Sequence, residues 1–211
     1  MNSNGTFFCF EGIEGAGKST LINSVHRALQ NENIATLLTR EPGGTTLGKE
    51  IREILLNSSQ STSISPLAEL LLFFADRAQH LSEVIIPALS DEKTVLCDRF
   101  IYSTIAYQCF GRGLDRAPVK TLIDLTLGSI RPHGVILLDL PVEAGLQRAS
   151  KRSTPDRFEK ENISFHSRIR EGFLAQAKEN PDLFLVLDAE KDPDTLRDTT
   201  IKFIESKTRQ K

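Results

Sequence analysis

Short apolar runs alternate along the chain with segments whose apolar residues recur every three or four positions. That is the pattern of strands joined by crossover helices in a parallel sheet. Phe7-Phe8-Cys9-Phe10 is the first run and reads as a buried strand. Leu21, Ile22, Val25, Ala28 and Leu29 follow at helical spacing. Further strands are predicted at 34–39, 94–97, 135–138 and 183–187. Helices are predicted over 47–56, 66–89, 101–110, 115–127, 143–152, 160–178 and 193–206. In the longest of these, Leu67, Leu70, Leu71, Phe74, Ala78, Leu81 and Ile85 trace the stripe predicted to face the core. Phe73 and Arg77 lie off it, four apart on a shared face. The Ser-rich stretch 57–65 is predicted to be a mobile loop.

A chain of 211 residues with this alternation fits one α/β domain. Lys and Arg number 26 against 28 Asp and Glu, a net charge of −2, which gives no case for a nucleic-acid polymer as partner. Cys9, Cys97 and Cys109 are odd in number and lack CxxC spacing. They read as reduced core thiols, so a cytoplasmic protein is expected. No secretory signal and no membrane-spanning stretch is read at the N-terminus or beyond it. Trp is absent, so aromatic recognition falls to Phe and Tyr.

Between the first strand and the first helix stands Gly12-Ile13-Glu14-Gly15-Ala16-Gly17-Lys18-Ser19. It matches the phosphate-loop pattern G-x-x-x-x-G-K-[ST] in the context that pattern requires. Gly12, Gly15 and Gly17 let the backbone wrap a phosphate with its N–H groups inward, and the helix from Thr20 onward aims its positive end at the same point. Lys18 reaches the β- and γ-phosphates in such a loop, and the Ser19 hydroxyl ligates Mg²⁺.

Ligands of an open α/β sheet bind beyond the carboxyl ends of the strands. Arg40-Glu41, Asp98-Arg99 and a basic stretch after Asp139 fall there. Asp98 is read as a second Mg²⁺-organising carboxylate, the alternative being a strand-end turn residue. Arg99 suits a phosphate clamp because its planar fork matches the anion bidentately. Arg40 is a second candidate or a solvated surface residue. Arg148, Lys151, Arg152 and Arg157 form either a solvated face or a mobile basic flap interrupted by Pro155. Phe73 offers a face for a base, although periodicity alone favours a core position. Two phosphate stations imply a nucleoside triphosphate and a phosphorylated acceptor.

The set Phe10-Glu11-Gly12 through Ser19, Thr39-Arg40-Glu41-Pro42-Gly43-Gly44, Phe73-Phe74-Ala75-Asp76-Arg77, Asp98-Arg99 and Ser103 to Gln108 resembles the bacterial thymidylate kinases, with Gly111-Arg112-Gly113 extending the match. The resemblance implies a five-stranded parallel sheet in the order 2-3-1-4-5, a lid over 141–160 within one kinase domain of residues 1–211, and a homodimer. It implies transfer of the ATP γ-phosphoryl to dTMP with Mg²⁺. ATP would be held by Gly12, Ile13, Glu14, Gly15, Ala16, Gly17, Lys18, Ser19 and Thr20. Glu14 would also hold the deoxyribose 3′-hydroxyl, and Arg99, with Arg40 nearby, the dTMP phosphate. Phe73 would stack on thymine, Arg77 would donate to its O4, Thr104 would sit near N3, and Ser103 and Gln108 would complete the pocket. Tyr107 would pack under the deoxyribose and exclude a 2′-hydroxyl. Gly15 stands where some relatives carry Arg, so Arg152, or Arg148 one turn earlier, would supply the missing cation.

No general base is required, because the nucleophile is a phosphate oxygen largely ionised at neutral pH. A GTP-binding switch is disfavoured because N-K-x-D and D-x-x-G are absent. Two rival assignments are a kinase of another nucleoside monophosphate and an idle nucleotide-binding protein. Lys18, Ser19, Asp98 and Arg99 argue against the latter.

Overall fold

The computed structural model describes residues 5–57, 63–151 and 156–209. Residues 58–62, within the loop predicted over 57–65, and 152–155, which include Arg152, lie outside the described residues.

Five strands, β1 (Thr6–Glu11), β2 (Thr36–Arg40), β3 (Thr94–Asp98), β4 (Gly134–Asp139) and β5 (Phe184–Asp188), form one parallel sheet in the order β2-β3-β1-β4-β5. β1 is the middle strand and every residue in it is buried. Burial on both faces is why its apolar residues are consecutive rather than alternating. β2 sits at the edge and is only partly buried. Asp98 stands opposite Phe10 on one side and Arg40 on the other, so three strand ends are level beside the loop. The chain turns to β2 and β3 on one side of β1 and to β4 and β5 on the other. The crevice for a ligand therefore opens at the carboxyl end of β1.

The helices are α1 (Lys18–Asn31), α2 (Thr46–Asn57), α3 (Pro66–His80), α4 (Ile86–Ser90), α5 (Ile101–Thr104), α6 (Arg116–Leu127), α7 (Val142–Ser150), α8 (Ile163–Glu179) and α9 (Pro193–Thr208). Side chains of Ser65, Asp115, Asn162 and Asp192 accept from first-turn N–H groups and start α3, α6, α8 and α9. Among the described residues no helix is long and apolar enough to cross a membrane.

Two features differ from the sequence-based expectation. The helix predicted as continuous over 66–89 contains a π-helical turn, Leu81–Ile85, in which the Ile86 N–H reaches back five residues to Leu81 O. Pro87 accounts for it: proline donates no hydrogen bond and crowds the carbonyl four residues back, and a wider turn relieves both. A second π segment, Ile105–Gly111, continues α5. The inward face of α3 also differs. Leu70, Phe74, Leu81 and Ile85 are buried, but Leu67 is 58% and Leu71 49% exposed, and Ala78 is exposed. The rest of the inward face carries Glu69, Asp76, Arg77 and His80. These polar residues are buried because they meet partners on neighbouring elements, which an apolar stripe does not reveal.

α8 lies against the second π segment. A Cβ at Gly111 would meet the Phe165 ring at 2.7 Å, so this approach requires glycine.

Candidate active site

The loop between β1 and α1 uses the left-handed region at Gly12 (φ 140°), Gly15 (φ 71°) and Gly17 (φ 91°). Gly15 has a further constraint: a Cβ there would lie 2.0 Å from Gly145 O in α7. The loop is thus clasped from outside by the helix that leads toward the basic stretch. Lys18 folds over the loop and donates to Gly12 O (2.9 Å) and Ile13 O (2.7 Å). Burial pushes its ammonium down to about 8, Arg99 adds to the shift, and Asp98, Glu14 and Glu11 oppose it. Ser19 Oγ donates to Asp98 Oδ2 at 3.0 Å, so hydroxyl and carboxylate meet at the lip of the loop. Thr20 follows in the exposed first turn of α1.

Arg99 has φ 71° at the end of β3 and turns its guanidinium back across the loop. Nη1 donates to Gly12 O (3.1 Å) and Ser103 Oγ (3.0 Å), and Nη2 to Glu14 Oε1 (3.2 Å). The Tyr107 hydroxyl donates to the same Glu14 oxygen, and the guanidinium lies 5.1 Å from the Tyr107 ring centroid. Burial raises the Glu14 carboxyl, but the approach of the His166 imidazole and the charges of Arg99 and Lys18 outweigh it and hold the group below the usual range. Beneath lies Glu11, whose oxygens accept from the Phe100 N–H (2.8 Å) and the Ser103 hydroxyl (2.5 Å). Burial raises Glu11 to about 7, against the lowering effects of Ser103 and Arg99.

These residues form one end of a cleft of about 1040 Å³, open mouth included. Arg40 and Arg52 also border it. Burial, then the like charges of Arg40 and Arg99, lower the Arg52 pKa. This end therefore gathers Lys18, Arg40, Arg52 and Arg99, of which Arg99 alone forms an ion pair among the described residues, with Glu14.

The other end is bordered by Phe73, Arg77, Thr104, Tyr107 and Gln108. Arg77 is fully buried. Its Nε and Nη2 meet Glu41 Oε2 at 2.8 and 2.7 Å, and Nη1 donates to Thr104 Oγ1 at 3.1 Å. The other Glu41 oxygen pairs with His80 Nδ1 (3.0 Å), whose Nε2 meets Thr39 Oγ1 (2.6 Å). Asp76 accepts from the Gly43 N–H (3.0 Å), and burial, reinforced by Glu41, raises it to about 6. Arg77 and Glu41 are thus held from behind, whereas Asp76 Oδ2 is buried with no hydrogen-bond partner among the described residues.

Residues 156–161 roof this end. The Phe158 ring packs 6.1 Å from Phe73 and 5.7 Å from Tyr107. Buried Glu69 anchors the roof: it meets Arg157 Nη2 (2.6 Å), Arg112 Nε (3.3 Å) and Gln108 Nε2 (3.0 Å). Arg112 extends to Glu161 at 2.5 Å, and Arg157 Nε donates to Leu55 O at 2.9 Å. Arg157, read from sequence as part of either a solvated face or a mobile basic flap, is an anchor instead. Arg148 is exposed and donates to Ala189 O at 3.4 Å, away from the cleft. Arg152 is outside the described residues.

Glu69, His80, His166 and Phe158 carry no signal in the sequence, and Glu11 and Glu41 enter only within motifs. Their partners are distant along the chain: Glu69 and Gln108 are 39 positions apart, and Glu11 and Phe100 are 89 apart. No local spacing flags such pairs.

Comparison with known proteins agrees with this geometry. The family model described as thymidylate kinase matches residues 10–199. The thymidylate kinase of Trichlorobacter lovleyi is 49% identical over 193 residues, covering 89% of this chain and 91% of its own. That of Desulfovibrio desulfuricans is 46% identical over 195 residues, with 89% of each chain covered. The crystal structure of thymidylate kinase from Ehrlichia chaffeensis superposes with a TM-score of 0.76 at 32% identity, covering 95% of this chain and 98% of that one. A phosphate loop facing a base-sized pocket across one cleft, and matches that run nearly end to end, lead to one assignment: the chain belongs to the thymidylate kinase family, whose reaction is the phosphorylation of dTMP to dTDP.

Proposed function

We propose that this chain transfers the γ-phosphoryl group of ATP to dTMP with the following division of labour. The loop from Gly12 to Ser19 and Thr20 cradles the ATP phosphates, with Lys18 leaving Gly12 O and Ile13 O to meet them. Arg99 holds the dTMP phosphate, and Arg40 stands beside it. Phe73 stacks on thymine, Arg77 donates to O4, and Thr104, Ser103 and Gln108 border the base. Glu14 accepts from the 3′-hydroxyl, and Tyr107 fills the space a 2′-hydroxyl would need. One observation carries the reading: a phosphate loop whose Lys18, like the nearby Arg52, has no ion-pair partner among the described residues faces a pocket with internally compensated charges in the same cleft.

Ser19 Oγ and Asp98 Oδ2, 3.0 Å apart, are hard oxygen donors at the loop's lip and fit Mg²⁺, which takes its remaining ligands from phosphates and water. When bound, Mg²⁺ neutralises charge on the transferring phosphoryl. The chain's own residues align the two phosphates and add Lys18 and Arg99 as fixed positive charge, so proton transfer is left to no side chain.

The exposed faces support a homodimer. Leu67 and Leu71 on α3, and Leu125 (80% exposed) on α6, lie on two helices that pack together. Leu125→Glu with Leu71→Glu should convert a dimer to a monomer in light scattering; a wild-type monomer overturns that part.

The test of the activity is Mg²⁺-dependent ADP release with dTMP, dUMP, dCMP, AMP and GMP. Turnover with dTMP ahead of the rest is expected. AMP or GMP turnover without dTMP turnover would overturn the reading.

A further inference from the structure

One buried polar side chain from outside the loop and the strand ends approaches Glu14. His166 stands in the first turn of α8 and is 1% exposed. α8 is pressed against the second π segment through Gly111, and Phe165 lies 5.6 Å edge-on to the His166 ring and 6.4 Å from Tyr107. This packing turns the His166 ring toward Glu14, with Nδ1 3.6 Å from Oε2. The other Glu14 oxygen is already occupied by Arg99 and Tyr107. Glu14 Oε2 and both His166 nitrogens are buried, and none has a hydrogen-bond partner among the described residues.

Orphaned buried polar atoms are costly, about 1–3 kcal/mol each. The near approach of Nδ1 to Oε2 relieves two of them at once with a movement of about half an ångström, to ordinary hydrogen-bond length. An imidazole with its proton on Nδ1 donates to a carboxylate whether the ring is neutral or charged. With Oε1 tied to Arg99 and Tyr107, a hydrogen bond from His166 to Oε2 would leave the carboxylate unable to rotate or withdraw.

We propose that His166 is a positioning residue for Glu14: from α8 it holds Oε2, so that the carboxylate presents a fixed acceptor to the 3′-hydroxyl of the bound nucleotide. The proposal rests on the reading of Glu14 as that acceptor. Recognition of the sugar then depends on a helix none of whose residues lines the cleft.

The experiment compares kcat/KM for dTMP and for its 3′-deoxy analogue. Wild type should prefer dTMP. His166→Phe keeps the ring packing but removes the donor; it should shrink that preference by on the order of 10-fold, through KM for dTMP, with the 3′-deoxy substrate little changed. His166→Asn keeps a donor near the Nδ1 position and should restore most of the preference. In a Glu14→Gln background, His166→Phe should have no further effect on the ratio. In the unmodified protein, ¹⁵N spectra of labelled imidazole should find the proton on Nδ1. A wild type indifferent to the 3′-hydroxyl would overturn the Glu14 reading and this proposal with it. A discriminating wild type with an unchanged ratio in His166→Phe, or a ring protonated on Nε2 alone, would overturn this proposal only.

Discussion

The two ends of the cleft solve opposite electrostatic problems. At the phosphate end, Lys18 is buried against backbone carbonyls and its ammonium is pushed down to about 8, while Arg52 is lowered by burial and by its neighbours Arg40 and Arg99. Neither group forms an ion pair among the described residues, although Asp98, Glu14 and Glu11 partly offset the Lys18 shift. At the base end, Arg77 is matched by Glu41, and Arg112 and Arg157 by Glu69. Where the proposed ligand brings negative charge, Lys18 and Arg52 stand without an ion-pair partner among the described residues; where it brings a neutral ring, Arg77, Arg112 and Arg157 are paired within the protein. Losses at the two ends should therefore have different signatures: at the first, transition-state stabilisation without loss of fold; at the second, stability and shape.

The largest effect expected is at Lys18. Lys18→Ala removes a fixed cation from the site where charge redistributes during transfer, so kcat should fall on the order of 10³-fold. The urea midpoint should hold or rise, because a poorly compensated buried charge is gone. A fall in stability with kcat retained would reverse the contrast between the two ends.

Glu41→Gln should do the opposite. Removing one partner of a buried ion pair leaves the other uncompensated, at a cost of about 3 kcal/mol or more. Urea unfolding should register that loss. Since Arg77 then loses its fixed direction, KM for dTMP should rise more than kcat falls. Unaltered stability would mean that the Arg77 charge is balanced elsewhere.

The same contrast explains what could be read from sequence. The phosphate end is local: a strand, eight contiguous residues and a helix, plus strand ends that sheet topology makes level. β1, the loop and the order of the strands followed from Phe7-Phe8-Cys9-Phe10, from Gly12 to Ser19 and from the resemblance. The base end is tertiary. Glu41 and Arg77 lie 36 positions apart, and Gln108 and Glu69 39. An apolar stripe on α3 pointed to Leu67 and Leu71, because hydropathy counts Glu69 and Arg77 as surface residues when each is in fact buried with its partner. The π turn before Pro87 has a local cause, but periodicity is too coarse to register one inserted residue. His166 gave no signal, since a lone histidine beside Phe165 on a helix reads as core.

Glu69→Gln tests the roof. Its carboxylate draws Arg112, Arg157 and Gln108 together, and the two arginines are partly exposed, so water can compensate them after the change. The expected loss is about 2 kcal/mol, in line with hydrogen bonds to charged groups. Amide exchange over 156–161 should quicken and KM for dTMP should rise as Phe158 loosens over Phe73, with kcat nearly unchanged. Unaltered exchange in that segment would show that the aromatic contacts alone hold the roof.

Glu11 offers the smallest and sharpest test, because its effect depends on pH. The residue lies below the phosphate end, where an ionised carboxylate would reduce the surplus of positive charge. Burial raises it to about 7 from a usual 4.5. An unfolded chain releases this proton near 4.5 and the folded chain near 7, so between those values the folded state binds more protons. Stability contributed by this group therefore falls as pH rises through that window. Asp76, raised by burial to about 6, acts in the same direction, and Glu14, held low, acts in the opposite direction below its unfolded value. Glu11→Gln isolates the first contribution. Glutamine can still accept from the Phe100 N–H and offer an N–H to the Ser103 oxygen, so the local bonds survive. Relative to the variant, wild type should lose on the order of 1–2 kcal/mol between about pH 5 and 7.5. In thermal melts, the variant should melt close to wild type at the acid end of that range and above it at the alkaline end. A difference that stays constant across the range would mean that Glu11 is ionised throughout and that Arg99 and Lys18 compensate it. The phosphate end would then be balanced before any ligand arrives, and the contrast between the two ends would fail.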